Sequence, residues 1–235
     1  MKQIYLLSSL MLMVVFSAQA QKRHRGPSLG VGIQVAQPIG TFKEKYDGVP
    51  AGVAGTFTGP LSNSPFEVGL GFAWNNMGAD DEDVSVLMGQ DAAGDDIYEM
   101  GTMRIRSNNY RYQAVARFRP FAGDIQVYGD LTAGVERFTT FTDIEVNSSG
   151  YTEVIEYRNQ HHDFGWTVGW AAGARVRVGN GFFIDARFEK LQGGVAKYVD
   201  QESIVVDSEN AAISFETLET RTDKFTYQLG LALEF

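Results

Sequence analysis

The chain of 235 residues contains no cysteine, few histidines and prolines, and no apolar run long enough for a membrane-spanning helix. Without cysteine, neither a disulfide staple nor the lipid anchor of a lipoprotein is available. The apolar run from Ile4 to Phe16 is shorter than the roughly 18 residues that a transmembrane helix requires. Positive charge is also scarce. The formal net charge of −9 argues against a nucleic-acid partner.

The amino terminus has the organisation of a secretory signal peptide. A lone Lys2 precedes the apolar run, and the small-residue site Ala18-Gln19-Ala20 follows it. We therefore predict a signal peptide over residues 1–20 that is cleaved between Ala20 and Gln21. The alternative is a retained amino-terminal anchor helix. Residues 21–27, which include a basic stretch with His24, are predicted to form a periplasmic leader.

The last eleven residues, 225–235, alternate strictly between large apolar and small or polar side chains. Because successive strand side chains point to opposite faces, this pattern predicts a β-strand with one apolar face, as in a transmembrane barrel. The segment also ends on an aromatic residue. The pattern resembles the carboxy-terminal assembly signal of bacterial outer-membrane β-barrels, and this resemblance implies that the apolar face is read during insertion. The predicted signal residues are Tyr227, Leu229, Leu231, Leu233 and Phe235.

Seven further segments alternate in the same way, which makes eight in total. They lie at residues 28–35, 49–58, 66–75, 110–119, 125–136, 164–178, 182–189 and 225–235. The connections near 59–64, 120–124 and 179–181 are short, and the other connections are long. Short periplasmic turns and long external segments are typical of outer-membrane barrels. The sequence therefore predicts an all-β fold, an eight-stranded antiparallel up-and-down transmembrane β-barrel over residues 28–235.

A soluble eight-stranded barrel, such as a lipocalin, is the structural alternative, since periodicity alone does not separate the inside from the outside. The chemistry of the two faces favours the membrane. One set of faces holds most of the bulky apolar residues, and the other holds glycine and charge. The predicted inward charges are Glu67, Arg111, Arg117, Arg119, Asp130, Glu136, Arg175, Arg177, Asp185, Arg187, Glu189 and Glu234.

Six acids and six bases make this inward set electrically neutral. An eight-stranded barrel is just wide enough inside for its own side chains, and buried charges are costly unless they are paired. We therefore predict a salt-bridge network that fills the lumen. The functional alternative is a small passive pore for ions or solutes. The mixed signs offer no ring of one charge that would select an ion.

The long external segments would carry any specific activity. The second is strongly acidic, with Asp80, Asp81, Glu82 and Asp83 followed by Asp91, Asp95 and Asp96. Carboxylates bind calcium, but this spacing is not that of a calcium loop, so a solvated surface is the competing interpretation. The third and fourth segments contain β-like stretches at 141–146, 152–157, 203–206 and 212–215. These predict hairpins whose exposed edges could pair with a partner's strand, or stiff loops without a partner.

An enzyme at the barrel rim is a further alternative, because His161 and His162 precede Asp163 near the predicted outer end of a strand. Neighbouring strand residues point to opposite faces, so only one of the two histidines can face a given site. No nucleophile motif lies beside them. We therefore predict a protein that is not an enzyme and that has no catalytic residue, cofactor or metal site.

Taken together, the terminal strand, the eightfold alternation and the signal peptide resemble the small outer-membrane barrels that include the OmpA transmembrane domain and OmpX. They also resemble the outer-membrane β-barrel domain proteins of Bacteroidetes. The resemblance implies an outer-membrane location and a structural, adhesive or other surface-interaction role. It implies contact with outer-membrane lipid and with the barrel assembly machinery. The acidic charge and exposed strand edges of the external segments themselves suggest an extracellular protein or glycolipid as a ligand of the loops. A monomer is expected.

Overall fold

The computed structural model describes residues 26–62, 64–90, 93–148, 151–207 and 212–235. Three parts of the sequence analysis lie outside the described residues: the predicted signal peptide, the basic stretch with His24, and Asp91 of the acidic segment. Among the described residues, no helix is long and apolar enough to cross a membrane.

The described residues contain twelve strands, one short helix, α1 (Thr41–Lys45), and a single 3-10 turn at Gln201–Ser203. The strands are β1 (Ser28–Pro38), β2 (Ala51–Pro60), β3 (Phe66–Gln90), β4 (Asp96–Phe118), β5 (Ile125–Ser148), β6 (Tyr151–Arg177), β7 (Phe182–Gly193), β8 (Val195–Val199), β9 (Val205–Asp207), β10 (Ala212–Ser214), β11 (Thr217–Arg221) and β12 (Lys224–Glu234). Eight of them close into an antiparallel barrel in the order β1-β12-β7-β6-β5-β4-β3-β2. This confirms the predicted barrel.

Closure depends on the pairing of the first strand with the last. β1 and β12 are antiparallel over their full lengths, from Ser28 opposite Glu234 to Pro38 opposite Lys224. The backbone groups of both chain-terminal strands are therefore paired on either side, and the barrel ring has no open edge. Closure of this kind is what allows a sheet to sit in lipid, where unpaired backbone groups have no water to bond with.

The two faces of the barrel wall have opposite chemistry. Large apolar side chains such as Leu70, Leu131 and Leu231 are 69%, 68% and 59% exposed on the outer face. Charged and amide side chains on the inner face are buried. A soluble barrel would show the reverse arrangement, whereas lipid removes the outer apolar surface from water at roughly 25 cal/mol per Å².

Four neighbouring strands continue far beyond the membrane. β3 and β6 have 25 and 27 residues, whereas a membrane-spanning strand needs about 9–11. β3, β4, β5 and β6 stay paired in the extra part, so they form an external sheet that prolongs one side of the barrel. The predicted hairpin of residues 141–146 with 152–157 belongs to this sheet. Asp80 to Asp83 were expected in a loop but lie within β3.

The fourth external segment forms two small antiparallel sheets: β8 pairs with β11, and β9 pairs with β10, which lie between them in the chain. The second of these confirms the predicted pairing of residues 203–206 with 212–215. Ile204, Val206 and Ile213 pack on a buried cluster of the external sheet. That cluster consists of Val84, Val86, Met103, Ile105, Ile144 and Val146. The external sheet therefore has its own apolar core above the membrane.

Candidate functional site: the lumen and the external segments

The lumen is filled by paired charges that are arranged in layers along the barrel axis. At the periplasmic end, Arg119 donates from Nε to Glu67 Oε1 over 2.6 Å and from Nη1 to Glu234 Oε2 over 3.0 Å. Thr58 donates to the other oxygen of Glu67, at 2.8 Å. Gln126 accepts a further bond from Arg119 Nη1, at 2.6 Å. A single guanidinium thus ties residues of β3, β5 and β12 together.

The next layer is built around the ring of Tyr128, which lies inside the barrel. Its hydroxyl donates to Asp185 over 2.7 Å, and Arg175 donates to the other oxygen of Asp185 over 3.1 Å. The guanidinium of Arg117 lies 3.9 Å from the centre of the ring. Arg117 also donates two parallel hydrogen bonds to the carboxylate of Asp130, from Nε over 2.7 Å and from Nη2 over 2.9 Å. Such bidentate pairs are the strongest and most directional charge-assisted hydrogen bonds.

The upper layer centres on Glu189. Arg111 and Arg187 both pair with this carboxylate, at 2.9 and 3.0 Å, and Arg187 also reaches Asp130 at 3.3 Å. Thr132 and Thr226 each donate to Glu189 over 3.2 Å. Arg187 therefore connects the upper layer to the layer below. Arg175 in turn reaches the lowest layer through the hydroxyls of Ser28 and Thr58, so hydrogen bonds link all three layers of this charge column.

One member of the column was missed by the sequence analysis, and one predicted member lies elsewhere. Lys224 is buried, and its Nζ lies 2.9 Å from Glu136 and 3.2 Å from Asn109. Arg177 was expected in the lumen but pairs at 3.0 Å with the exposed Asp124 at the periplasmic rim. The reason is its place as the last residue of β6, where the wall ends.

This exchange leaves the described column neutral, since Lys224 takes the place of Arg177. The structure places the other eleven predicted charges inside the barrel, ten of them buried and Glu234 half-buried. Lys224 was detectable, because it shares the inward phase of Thr226 and Gln228. The predicted assembly residues Tyr227, Leu229, Leu231 and Phe235 are exposed on the outer face, and Leu233 is half-buried there.

An aromatic lid lies on top of the column at the external mouth. Phe42 of α1, Tyr198 of β8 and Phe138 of β5 pack together with Met77 and Ala196, and Tyr46 adds to the cluster. Tyr46 donates its hydroxyl to the carbonyl of Met77. Burial raises the pKa of Tyr46 to about 12, and burial together with Asp200 raises the pKa of Tyr198 to about 12. We call Phe42, Tyr46, Met77, Phe138, Ala196 and Tyr198 the lid cluster.

The acidic stretch of β3 does not gather into a metal site in the described part of the chain. Asp80 to Asp83 are consecutive strand residues, so their side chains point alternately to the two faces of the external sheet. No group of three or more carboxylate or histidine side chains converges among the described residues. The geometry therefore gives the calcium hypothesis no support.

The candidate rim residues hold a hairpin in place. The ring nitrogen Nε2 of His161 lies 3.2 Å from the carbonyl oxygen of Lys197 in β8. The backbone N–H of Lys197 donates a hydrogen bond of 2.7 Å to Asp163 Oδ2. His162 is exposed and lies edge-on to Phe164. His161 and Asp163 thus fasten β8 to the upper part of β6, which β7 does not cover.

Similar proteins are found among solved structures, whereas no curated protein matches the chain. The attachment invasion locus protein Ail of Yersinia pestis is 17% identical, with 90% of this chain and 100% of that chain covered and a TM-score of 0.41. Neisserial surface protein A is 9% identical, with coverages of 89% and 97% and a TM-score of 0.44. A major outer membrane protein from Thermus thermophilus is 11% identical, with coverages of 89% and 99% and a TM-score of 0.45.

A family model described as "Outer membrane protein beta-barrel domain" matches residues 7–235. That range includes every strand of the barrel ring and all four external segments. The chain therefore belongs to the outer membrane protein β-barrel domain family and is a protein of the bacterial outer membrane.

Proposed function

We propose that this protein is a closed, monomeric, non-enzymatic barrel that presents its external sheet to a protein partner at the cell surface. One observation carries the proposal: four strands are prolonged as a paired sheet well beyond the height of the membrane. A barrel that served only to occupy the membrane would have no need for this added structure. Removal of residues 1–20 before assembly is part of the proposal.

The tip of the external sheet offers an apolar surface for such a partner. Leu87 lies opposite Tyr98, and Met100 lies opposite Ser85, so the three large side chains share the face that points away from the buried Val84 and Val86. They are 55%, 54% and 65% exposed. We call Leu87, Tyr98 and Met100 the tip patch. Exposed apolar groups clustered in this way are typical of interaction sites.

Charge beside the tip patch specifies the kind of partner. Asp81 and Asp83 lie on the same face of β3 as Ser85 and Leu87, since strand side chains alternate. Both carboxylates are exposed. A partner that buries the tip patch would therefore place basic side chains beside its apolar contact. Beyond Asn76, β3 pairs with β4 and no longer with β2, so its outer edge also offers backbone groups to a partner's strand.

The test compares attachment of bacteria that display the protein with attachment by bacteria that display variants. The triple variant Leu87→Ser, Tyr98→Ser, Met100→Ser removes the tip patch. Its folding free energy should change by less than about 0.5 kcal/mol per site, because these side chains are exposed. We expect attachment to immobilised host-matrix proteins and to neighbouring bacteria to fall to the level of cells without the protein.

A double variant in the same ribbon, Ser85→Ala with Thr102→Ser, is the matched control and should attach normally. Equal surface amounts and equal heat-modifiable migration in gels must be verified for all variants. If the tip variant attaches as well as the wild-type protein, the external sheet does not carry the interaction.

A further inference from the structure

Arg137 is an unpaired base on the outer face of the barrel wall. Its neighbours in β5, Glu136 and Phe138, are buried on the inner side, so the side chain of Arg137 points outwards. It takes part in none of the salt bridges formed by the described residues. The side chain is half-buried, but its terminal nitrogens Nη1 and Nη2 are not enclosed. The charged end of Arg137 is therefore open to a ligand from outside the barrel.

The position of Arg137 along β5 places it at the external boundary of the membrane. It is the thirteenth residue of this strand, and a tilted strand crosses the hydrocarbon with about 9–11 residues. Tyr110 of β4 and Phe164 of β6 lie directly opposite it. Val135 and Trp166 follow on the same face towards the membrane centre and are 48% and 52% exposed. Aromatic residues mark the membrane interface in such barrels, so Arg137 lies where the lipid head groups begin.

Groups on the two neighbouring strands extend this basic position outwards. The guanidinium of Arg137 lies 5.7 Å from the ring centre of Phe164, and the ring of His162 lies edge-on to the same phenyl ring, with 6.4 Å between centres. His162 is exposed and diagonal to Arg137, a relation with Cα distances of about 7–8 Å. Arg106 of β4 lies further out on this face, is exposed, and also forms none of the salt bridges of the described residues.

Acids are missing from this part of the outer face, although the chain as a whole has 29 acids against 20 bases. Glu136 and Asp163 are the only acids within residues 72–76, 106–112, 135–141 and 162–166. Glu136 faces the lumen and pairs with Lys224, and Asp163 accepts a hydrogen bond from the backbone of β8. The next acid outwards on β5, Asp143, is six residues beyond Arg137. The chain therefore provides no counter-charge for Arg137.

From this geometry we propose that Arg137, together with His162 and Arg106, binds the phosphate of an anionic lipid in the outer leaflet. A guanidinium donates two parallel hydrogen bonds to a phosphate, which suits the open end of the Arg137 side chain. The depth of Arg137 matches a head-group phosphate, and Val135 and Trp166 below it offer apolar surface to the acyl chains. A soluble anion would make no use of that surface. The tip patch is not involved, so the inference does not rest on the proposed function.

The test is a titration of the mature protein, refolded in zwitterionic detergent, with diphosphoryl lipid A and with the same lipid after removal of its phosphates. Native mass spectrometry counts the lipids bound to each chain. We expect one tightly bound lipid A in the wild-type protein and about tenfold weaker binding by Arg137→Gln, since hydrogen bonds to a charged group are lost. The matched control Lys43→Gln removes one exposed base from α1 and should bind lipid A normally.

Two further comparisons separate the phosphate contact from general attraction. Arg137→Lys keeps the charge but loses the planar fork, so its affinity should lie between those of the wild-type protein and Arg137→Gln. The lipid without phosphates should bind the wild-type protein and Arg137→Gln equally. Heat-modifiable migration must show that every variant is folded.

Equal binding of lipid A by the wild-type protein and Arg137→Gln, or an equal loss in Lys43→Gln, would overturn the proposal. Displacement of lipid A by inorganic phosphate at a similar concentration would assign these groups to a soluble anion and would overturn the lipid as the ligand. Bacterial attachment by Arg137→Gln should be normal, because the tip patch is intact. Lipid binding and attachment can therefore fail separately.

Discussion

At the scale of single residues, the interior of this barrel is governed by charge pairing. Removing an ion from water costs several kcal/mol, and this cost is offset only where the charge has an oppositely charged partner at good geometry. The Lys224 to Glu136 pair is the clearest case, because both side chains are buried at the upper end of the column. Asn109 accepts a further bond from the same ammonium.

Lys224→Met should destabilise the protein by about 3–5 kcal/mol, because Glu136 would stay buried without its counter-charge. Adding Glu136→Gln in the same chain should recover most of this loss. The measurement is urea unfolding in lipid vesicles, followed by tryptophan fluorescence. Arg177→Met is the matched control at the half-exposed rim pair with Asp124, and should cost less than about 1 kcal/mol. Equal costs for the two single variants would mean that water reaches Lys224.

At the scale of secondary-structure elements, the membrane-spanning strands were predictable and the external ones only in part. Inside the membrane one face must be apolar and the other polar, so the period of two is visible in the sequence. Above the membrane this constraint ends. The acidic run from Asp80 to Asp83 lacks the apolar alternation of a strand, so the sequence did not indicate that β3 continues through it. The five-residue α1 is stabilised by burial of Phe42 against other elements. Neither the external part of β3 nor α1 could therefore be predicted from the local sequence pattern.

The lid formed by α1 and β8 should loosen at high pH. The pKa values of Tyr46 and Tyr198 are about 12 in the folded protein, against about 10 in an unfolded chain. A raised pKa means that the folded state holds the proton more tightly. This contribution to stability is therefore complete below pH 10 and is lost as the pH rises towards 12.

Ultraviolet absorbance of tyrosinate measures this transition, and the difference between the wild-type protein and Tyr198→Phe isolates one ring. We expect that difference signal to titrate near pH 12, while heat-modifiable migration shows that the barrel itself persists. Tyr98 is 54% exposed in the external sheet, outside the membrane, and Tyr98→Phe supplies the control for an exposed ring. Titration of Tyr198 near pH 10 would mean that the lid is open in solution.

At the scale of the whole molecule, the charged layers of the lumen and the lid cluster lie one above another along the barrel axis. The guanidinium groups of Arg119, Arg117 and Arg111 come from β4 and its end, and together they span the column from the periplasmic layer to the upper one. The lid cluster then packs above Lys224, whose ammonium lies 5.7 Å from the ring centre of Phe138. An ion crossing the barrel would have to break several buried pairs in succession.

The mature protein should therefore give no stepwise conductance in a planar lipid bilayer. The lid variant Phe42→Ala should be equally silent, because the paired charges of the barrel interior remain below the lid. Heat-modifiable migration of the same sample has to establish that folded barrels were added, and a known porin supplies the positive control. Steady channels whose conductance changes when Arg175 or Glu136 is neutralised would show instead that ions pass through the lumen. The function would then be that of a small passive pore.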